Sequence, residues 1–235
     1  MTSASIVEIR NSLCGLSVAL LLLVGANARA QRRVSADVEV KQVTAGKVFT
    51  VTKSVYCANN GRLVIHFISP DEFYVVTNPL GEARMFSPRT NTTESDPDNS
   101  YSTKDELLYF FLTGRLDDLG VTQDGYKLIS TTNEDGLMKR VFKSATDGNK
   151  PQIEIVYKNY LPIYLAYLDN TGTPVNKTYF SNYSRVQRLM VPCRVTNIAY
   201  ITDKDSTVVR TIYSNVKVDT DDPMFDFNIP SASKR

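Results

Sequence analysis

"VFTVTKSVYCANNGRLVIHFIS", residues 48–69, decides the fold. Phe49, Val51, Val55 and Cys57 fall on one side of a period-two alternation. An Asn-Asn-Gly turn then reverses the chain, and Leu63, Ile65 and Phe67 return along one face. Side chains of an extended chain point alternately to opposite faces, so two such runs joined by a tight Gly turn predict an antiparallel hairpin with one buried side. A second hairpin follows, with "EFYVVT" (72–77) turning at "NPLG" into "ARMF" (83–86). The polar stretch "SPRTNTTESDPDNS" (87–100) reads as a loop. Beyond residue 125, seven more alternating runs, from "YKLIST" (126–131) to "STVVRTIYSNVKV" (206–218), are separated by "NEDG", "TDGN", "NTGT" and "TDKD" turn chemistry. Eleven strands are expected in all. So many short, turn-joined strands predict a mainly β protein with few helices: a strongly curved antiparallel sheet forming an incomplete, half-open barrel.

One helix is expected, over "TKDELLYFFLTG" (103–114). Thr103 and Glu106 fit a capping box, Asp105 suits the positive N-terminal end, and Gly114 suits the left-handed cap that ends a helix. Leu107, Leu108, Phe110, Phe111 and Leu112 make it apolar nearly all round, so it must be covered on most sides. A short helix of this kind is the expected plug of the half-barrel.

Residues 1–30 read as a cleaved export signal. Arg10 precedes an apolar run from Leu13 to Ala26, and "ANARA" ends in small residues suited to cleavage before Gln31. The apolar run is shorter than the roughly 20 residues that a spanning helix needs. Residues 31–235 carry no linker or repeat and read as one domain, exported and soluble after cleavage. Cys57 and Cys193 remain, and an oxidising compartment permits them to pair; two buried free thiols are the equal alternative.

Reactive chemistry is sparse. His66 is the only histidine; it lies mid-strand, its ring on the face of Val64 and Ile68, and no nucleophile elbow accompanies it, so it reads as a satisfied sheet residue. No metal-ligand spacing occurs, so neither metal nor cofactor is expected and no catalytic residue is assigned. "DNTGTPVN" (169–176) and "DTDD" (219–222) read as solvated turns rather than calcium loops. Net charge is +2 with cations and acids interspersed, so no basic face for nucleic acid stands out. The 13 Tyr and 10 Phe sit mostly on strands. They either enclose an apolar hollow suited to acyl chains or simply fill the core.

The order of features resembles the periplasmic lipoprotein carriers of the LolA type, over nearly the whole of residues 31–235. "GRLVIHFISPDEF" (61–73) is similar to the family's G-x-L-x-x-x-x-P-x-x-F, and "MFSP" (85–88) to its aromatic-x-Pro. "MVPCRV" (190–195) stands near its Leu-Pro strand entry, and "VKVDTDDPMFDFNIP" (216–230) matches its closing Phe-x-Phe-x-x-Pro tail. The resemblance implies a non-enzymatic periplasmic monomer. It would take the acyl chains of a lipoprotein, or another lipid, from an inner-membrane donor and pass them to an outer-membrane acceptor. It implies a hydrophobic hollow lined by Phe49, Val51, Ile65, Phe67, Phe73, Met85, Leu107, Phe110 and Phe111. It also implies a tail in which Phe225 and Phe227, sharing one face, cap an open sheet edge and the mouth. An arginine that helps hold the helical lid in the family has no counterpart among Glu72, Phe73 and Tyr74, leaving Arg84 or Arg140 to stand in. A ligand-free module that binds a protein partner through the same fold is the alternative function.

Overall fold

The computed structural model describes residues 32–78, 80–95, 106–202 and 205–230; the expected export signal, Thr103 and Asp105 lie outside them. Thirteen strands run in chain order: β1 (Arg33–Thr44), β2 (Lys47–Ala58), β3 (Leu63–Ser69), β4 (Phe73–Thr77), β5 (Ala83–Ser87) and β6 (Thr92–Ser95), then, after helix α1 (Leu107–Thr113), β7 (Tyr126–Glu134), β8 (Leu137–Ser144), β9 (Gln152–Lys158), β10 (Leu161–Leu168), β11 (Pro174–Val186), β12 (Leu189–Thr202) and β13 (Asp205–Val218). A 3-10 turn, Pro223–Asp226, follows. The strands form one antiparallel sheet in the order β6-β5-β4-β3-β2-β1-β13-β12-β11-β10-β9-β8-β7. It does not close on itself, so the expected half-open barrel is the architecture. Two strands exceed the expected eleven. One is β1, next to the expected signal; the other is β6, inside the stretch read as a loop. Among the described residues no helix is long and apolar enough to cross a membrane.

Register assigns the two faces, because directly paired residues of an antiparallel ladder share a side. Val34, Ala36 and Val38 of β1 pair with Cys57, Val55 and Lys53 of β2; Cys57 and Val55 pair with Leu63 and Ile65 of β3, and Ile65 with Val75 of β4. Here lies the main core, which Leu108, Phe111 and Leu112 of α1 complete. A second core on β8–β11 gathers Phe142, Ile153, Ile155, Tyr157, Leu165 and Phe180 with Val121 from the segment after α1 and Tyr126 at the start of β7. Leu107 packs against both. We call this side the helix face.

Helix α1 is shorter than the expected segment. Glu106 is not the third residue of a capping box but the N-cap itself, its carboxylate accepting the Leu108 N–H at 3.4 Å. Gly114 takes the left-handed conformation (φ 70°) that lets its N–H close the last turn, as expected. A seven-residue helix has no stability of its own. Burial of Leu108, Phe110, Phe111 and Leu112 contributes about 1.5–3 kcal/mol each, so the sheet holds the helix in place.

Cys57 and Cys193 are both free thiols in the structure, Cys57 buried and Cys193 half-buried. Cys57 on β2 and Cys193 on β12 are separated by β1 and β13 in the sheet. Three strand spacings amount to about 14 Å, twice the reach of a disulfide between Cα atoms.

Candidate functional site

The residues expected to line a hollow are distributed along the helix face. Ile65 and Phe67 are buried in the core, where Phe67 stacks on Phe73 (centroids 4.2 Å, planes 9° apart). Phe73, Met85, Val51 and Leu107 are half-buried and pack against it; Phe111 is buried in it. Phe110 is buried too, its ring against Gly120, where a Cβ would come within 2.7 Å of it. Phe49 stands apart: it is 55% exposed near the start of β2. Of these expected lining residues, Leu107, Phe110 and Phe111 come from α1 and the rest from β2–β5.

A cleft of about 700 Å³ opens at the ends of β3–β6. Its apolar wall is Phe73, Met85 and Phe86, continuous through Phe73 and Met85 with the main core. Among the described residues its rim carries Asp71, Glu72 and Glu94 with one cation, Arg89. The sequence reading named Phe73 and Met85 but none of the rim charges. These come from the β3–β4 turn, the β5–β6 turn and edge strand β6, and only the register of β3–β6 brings them together.

A buried polar group sits at the N-terminus of α1. Burial pushes the Glu106 carboxyl above its usual range, opposed by the nearby Lys53 ammonium and by the Leu108 N–H. Burial and the Glu106 charge together also raise the Cys57 thiol and the Tyr213 hydroxyl. At the other end of α1, the Arg140 guanidinium donates to the Asp117 carbonyl at 2.7 Å, which also accepts from the Tyr157 hydroxyl at 2.7 Å. Of the two candidates for the missing lid arginine, Arg140 is thus the one that holds the segment after the helix. Arg84 pairs with Val76 on the opposite face and is exposed.

The tail docks, but not on a sheet edge. Phe225 and Phe227 lie in and just after the 3-10 turn, initiated by Asp222 and Pro223, and so do not alternate as a strand. Phe225, 2% exposed, meets Tyr56 edge-on at 5.5 Å. Phe227 stacks on Tyr74 at 4.7 Å, and Tyr74 in turn stacks on His66 at 4.2 Å. Tyr56, His66 and Tyr74 belong to the side opposite the helix, so the tail covers the back of interior strands β2–β4, and the edges β6 and β7 lie elsewhere. Arg62 clamps it, donating to the carbonyls of Phe225 (3.0 Å) and Phe227 and to Asn228 Oδ1 (3.2 Å). His66, as a satisfied sheet residue, has its Nε2 3.1 Å from Glu72 Oε1.

The acidic turns cap backbone. Asp169 Oδ1 accepts the N–H groups of Thr171 and Thr173, and Asp219 Oδ1 those of Arg32 and Arg33. Among the described residues no group of three or more His, Cys, Asp or Glu is placed to hold a metal ion.

No family model and no curated protein matches this chain. Solved structures do. A DUF1329 family protein from Desulfovibrio piger is similar with a TM-score of 0.54 and 15% identity over 81% of this chain and 87% of that one. A LolA superfamily protein from Nitrosomonas europaea gives 0.54 and 13% over 80% and 87%. A domain named for outer-membrane lipoprotein sorting, from Vibrio parahaemolyticus, gives 0.53 and 12% over 81% and 86%. At such identities the likeness is one of fold, and the fold of this chain is that of these LolA-superfamily and DUF1329 structures.

Proposed function

We propose that the protein is a non-enzymatic periplasmic carrier that shelters acyl chains in the cleft at the ends of β3–β6 and on the helix face behind it. The observation that carries this reading is the cleft itself. It is roomy enough for a small-molecule ligand, and its Phe73–Met85 wall leads straight into the core under α1. The helix is the element that would give way, since its hold on the sheet is almost wholly apolar and an acyl chain offers the same contacts. Each buried methylene contributes about 0.8 kcal/mol, so a cleft that shelters only part of a chain keeps hand-off to a deeper acceptor downhill. Three carboxylates against one arginine on the rim disfavour an anionic phospholipid head. They suit an acyl chain carried on a neutral or basic peptide, as in a lipoprotein.

Native mass spectrometry of protein purified from periplasm tests this, together with displacement of a hydrophobic dye. Co-purified acylated peptide or lipid is expected, and Phe73→Asp, which also gives up the stack on Phe67, should lower dye binding at temperatures where circular dichroism shows the variant folded. The dense packing of Leu108, Phe111 and Leu112 favours a second reading, a module that binds a protein partner and no lipid. Absence of any co-purified lipid, with dye binding equal in wild type and Phe73→Asp, would decide for it.

A further inference from the structure

The central strands outrun their neighbours. β2 pairs with β3 only from Thr52 to Cys57, while its N-terminal part, Lys47–Val51, continues beyond Ser69 with β1 alone beside it. On the other flank, β11 pairs with β12 only as far as Ala199, and Tyr200–Thr202 runs on beside β13. The two overhangs lie at different heights: level with Lys47–Val51, β12 (Val195–Ala199) is still paired with β11, so the β1–β2 hairpin is free on its β3 side only, and Tyr200–Thr202 of the β12–β13 hairpin runs on past its tip. Together these two hairpin ends form what we call the tongue, at the same end of the sheet as the cleft. Five residues of β2 reach about 15 Å past the last pair with β3, and three of β12 about 10 Å past the last pair with β11.

The tongue is apolar on both sides. Phe49 (55% exposed) points to the helix face, and its chain neighbour Val48 (63%) to the opposite one. Val43 and Tyr200 are exposed on that opposite face, and Ile201 (58%) at the β12 tip. Basic side chains surround them. Lys41 and Arg210 lie directly opposite each other on adjacent strands, Lys47 is exposed at the tip, and Lys177 sits 5.1 Å from the Tyr200 ring. Of the acids on these strands, Glu39 pairs with Lys41 at 3.6 Å and Asp205 is exposed; Asp71, Glu72 and Glu94 stand apart on the cleft rim at the same end of the sheet. Like charges placed across a ladder repel, so the Lys41–Arg210 pair gains when an anion approaches.

We infer that this tongue is a membrane-contact surface for anionic lipid. Its apolar side chains enter the headgroup–acyl boundary, and Lys41, Lys47, Lys177 and Arg210 lie against the phosphates. Val48 and Phe49 stand on the two sides of β2 where its β3 edge is free, so a fluid interface reaches both around that edge, whereas a rigid protein partner would have to clamp the edge from two sides. The reach of the tongue exceeds the roughly 5–10 Å depth at which interfacial segments settle, and long cationic stems allow their heads to remain among the headgroups while the hairpin inserts. The inference rests on the tongue alone and holds whether or not the cleft carries lipid.

Co-sedimentation of the purified protein with phosphatidylcholine vesicles, with and without phosphatidylglycerol, tests it. Binding is expected to the anionic vesicles and to weaken as salt is raised. Phe49→Ser with Ile201→Ser should reduce it about tenfold, and Lys41→Glu with Arg210→Glu should abolish the preference for phosphatidylglycerol. Tyr160→Ser, at another exposed aromatic, in the β9–β10 turn, should change nothing. All these side chains are exposed or half-exposed, and unchanged circular dichroism checks the fold of each variant. Equal sedimentation of wild type and tongue variants overturns the inference. So does failure to bind either vesicle, which would leave the tongue to a protein partner.

Discussion

Replacing Phe225 by alanine removes the anchor of the tail. The ring is 2% exposed, edge-on to Tyr56 at 5.5 Å with the Arg33 guanidinium 5.3 Å from its centroid. Truncating a buried phenylalanine to alanine costs about 3–5 kcal/mol. The lower end applies here, because the segment lies on the outside of the sheet and peels off when its anchor is gone, so the loss cannot exceed what docking contributes. For a domain of this size, about 3 kcal/mol corresponds to a melting temperature lower by about 6–12 °C. The chain has no tryptophan, so thermal unfolding is best followed by far-ultraviolet circular dichroism. Arg62→Met, which removes the clamp but keeps the stem, should lower the melting temperature less than Phe225→Ala. Combined with Phe225→Ala it should add little, since a detached tail has no carbonyls in place for the guanidinium. Truncation after Val218, which also removes the Asp219 cap on the Arg32 and Arg33 N–H groups, should cost more than the double variant. It exposes Tyr56 and Tyr74 on a sheet face and leaves both edges as they were, so it creates no new site for strand pairing. A Phe225→Ala protein that melts with wild type would refute the reasoning, as would additive losses in the double variant.

Glu106 should make stability depend on pH with the sign of a raised carboxyl. The unfolded group titrates near 4.5 and the folded one higher, so the folded state keeps its proton longer. Stability is then greatest below the unfolded value and falls as pH rises through the window up to the folded one. Glu106→Gln, whose side-chain carbonyl can still accept the Leu108 N–H, should be more stable than wild type above that window and lose the slope; parallel urea-denaturation curves on either side of it would contradict this. The thiols give a third expectation. Reductant should leave gel mobility and melting unchanged, and alkylation should reach half-buried Cys193 in the folded protein but buried Cys57 only after unfolding.

The hairpin architecture was legible because Asn-Gly, Asn-Glu-Asp-Gly and similar turns bracket apolar alternation. β1 alternates as plainly, with Val34, Ala36, Val38 and Val40 on one face. Its turn into β2 is built on Ala45 (φ 46°) and Gly46 (φ 74°), and an alanine in the left-handed region carries no turn signal. β6 was invisible for another reason: an edge strand needs one ladder and little burial, so "TTES" shows no apolar period. In the tail, Phe225 and Phe227 invite a strand reading, yet Asp222 before Pro223 is the start signal of a helical turn. Phe73 and Met85 could be named from their strands. Asp71, Glu72, Arg89 and Glu94 belong to turns and an edge, and no periodicity links them. The tongue was hidden because it depends on where the pairing of β2 with β3 and of β12 with β11 ends rather than on what β2 and β12 contain.

The strand order also sets how the molecule must assemble. β1 to β6 and β7 to β13 are two meanders, each built from neighbours in sequence, and a single seam, β1 against β13, sews them together. At one end of that seam the Asp219 carboxylate accepts the N–H of Arg32 across 187 residues. Closing a loop of that length is slow, so each half can zip up from its own hairpins while the seam waits for the last strand to be delivered. A chain threaded through a membrane from its N-terminus would carry β1 with one side unpaired until β13 emerges. The same logic makes the protein divisible: two fragments separated between β6 and α1 each hold a complete meander and half of the seam, and should find each other in trans.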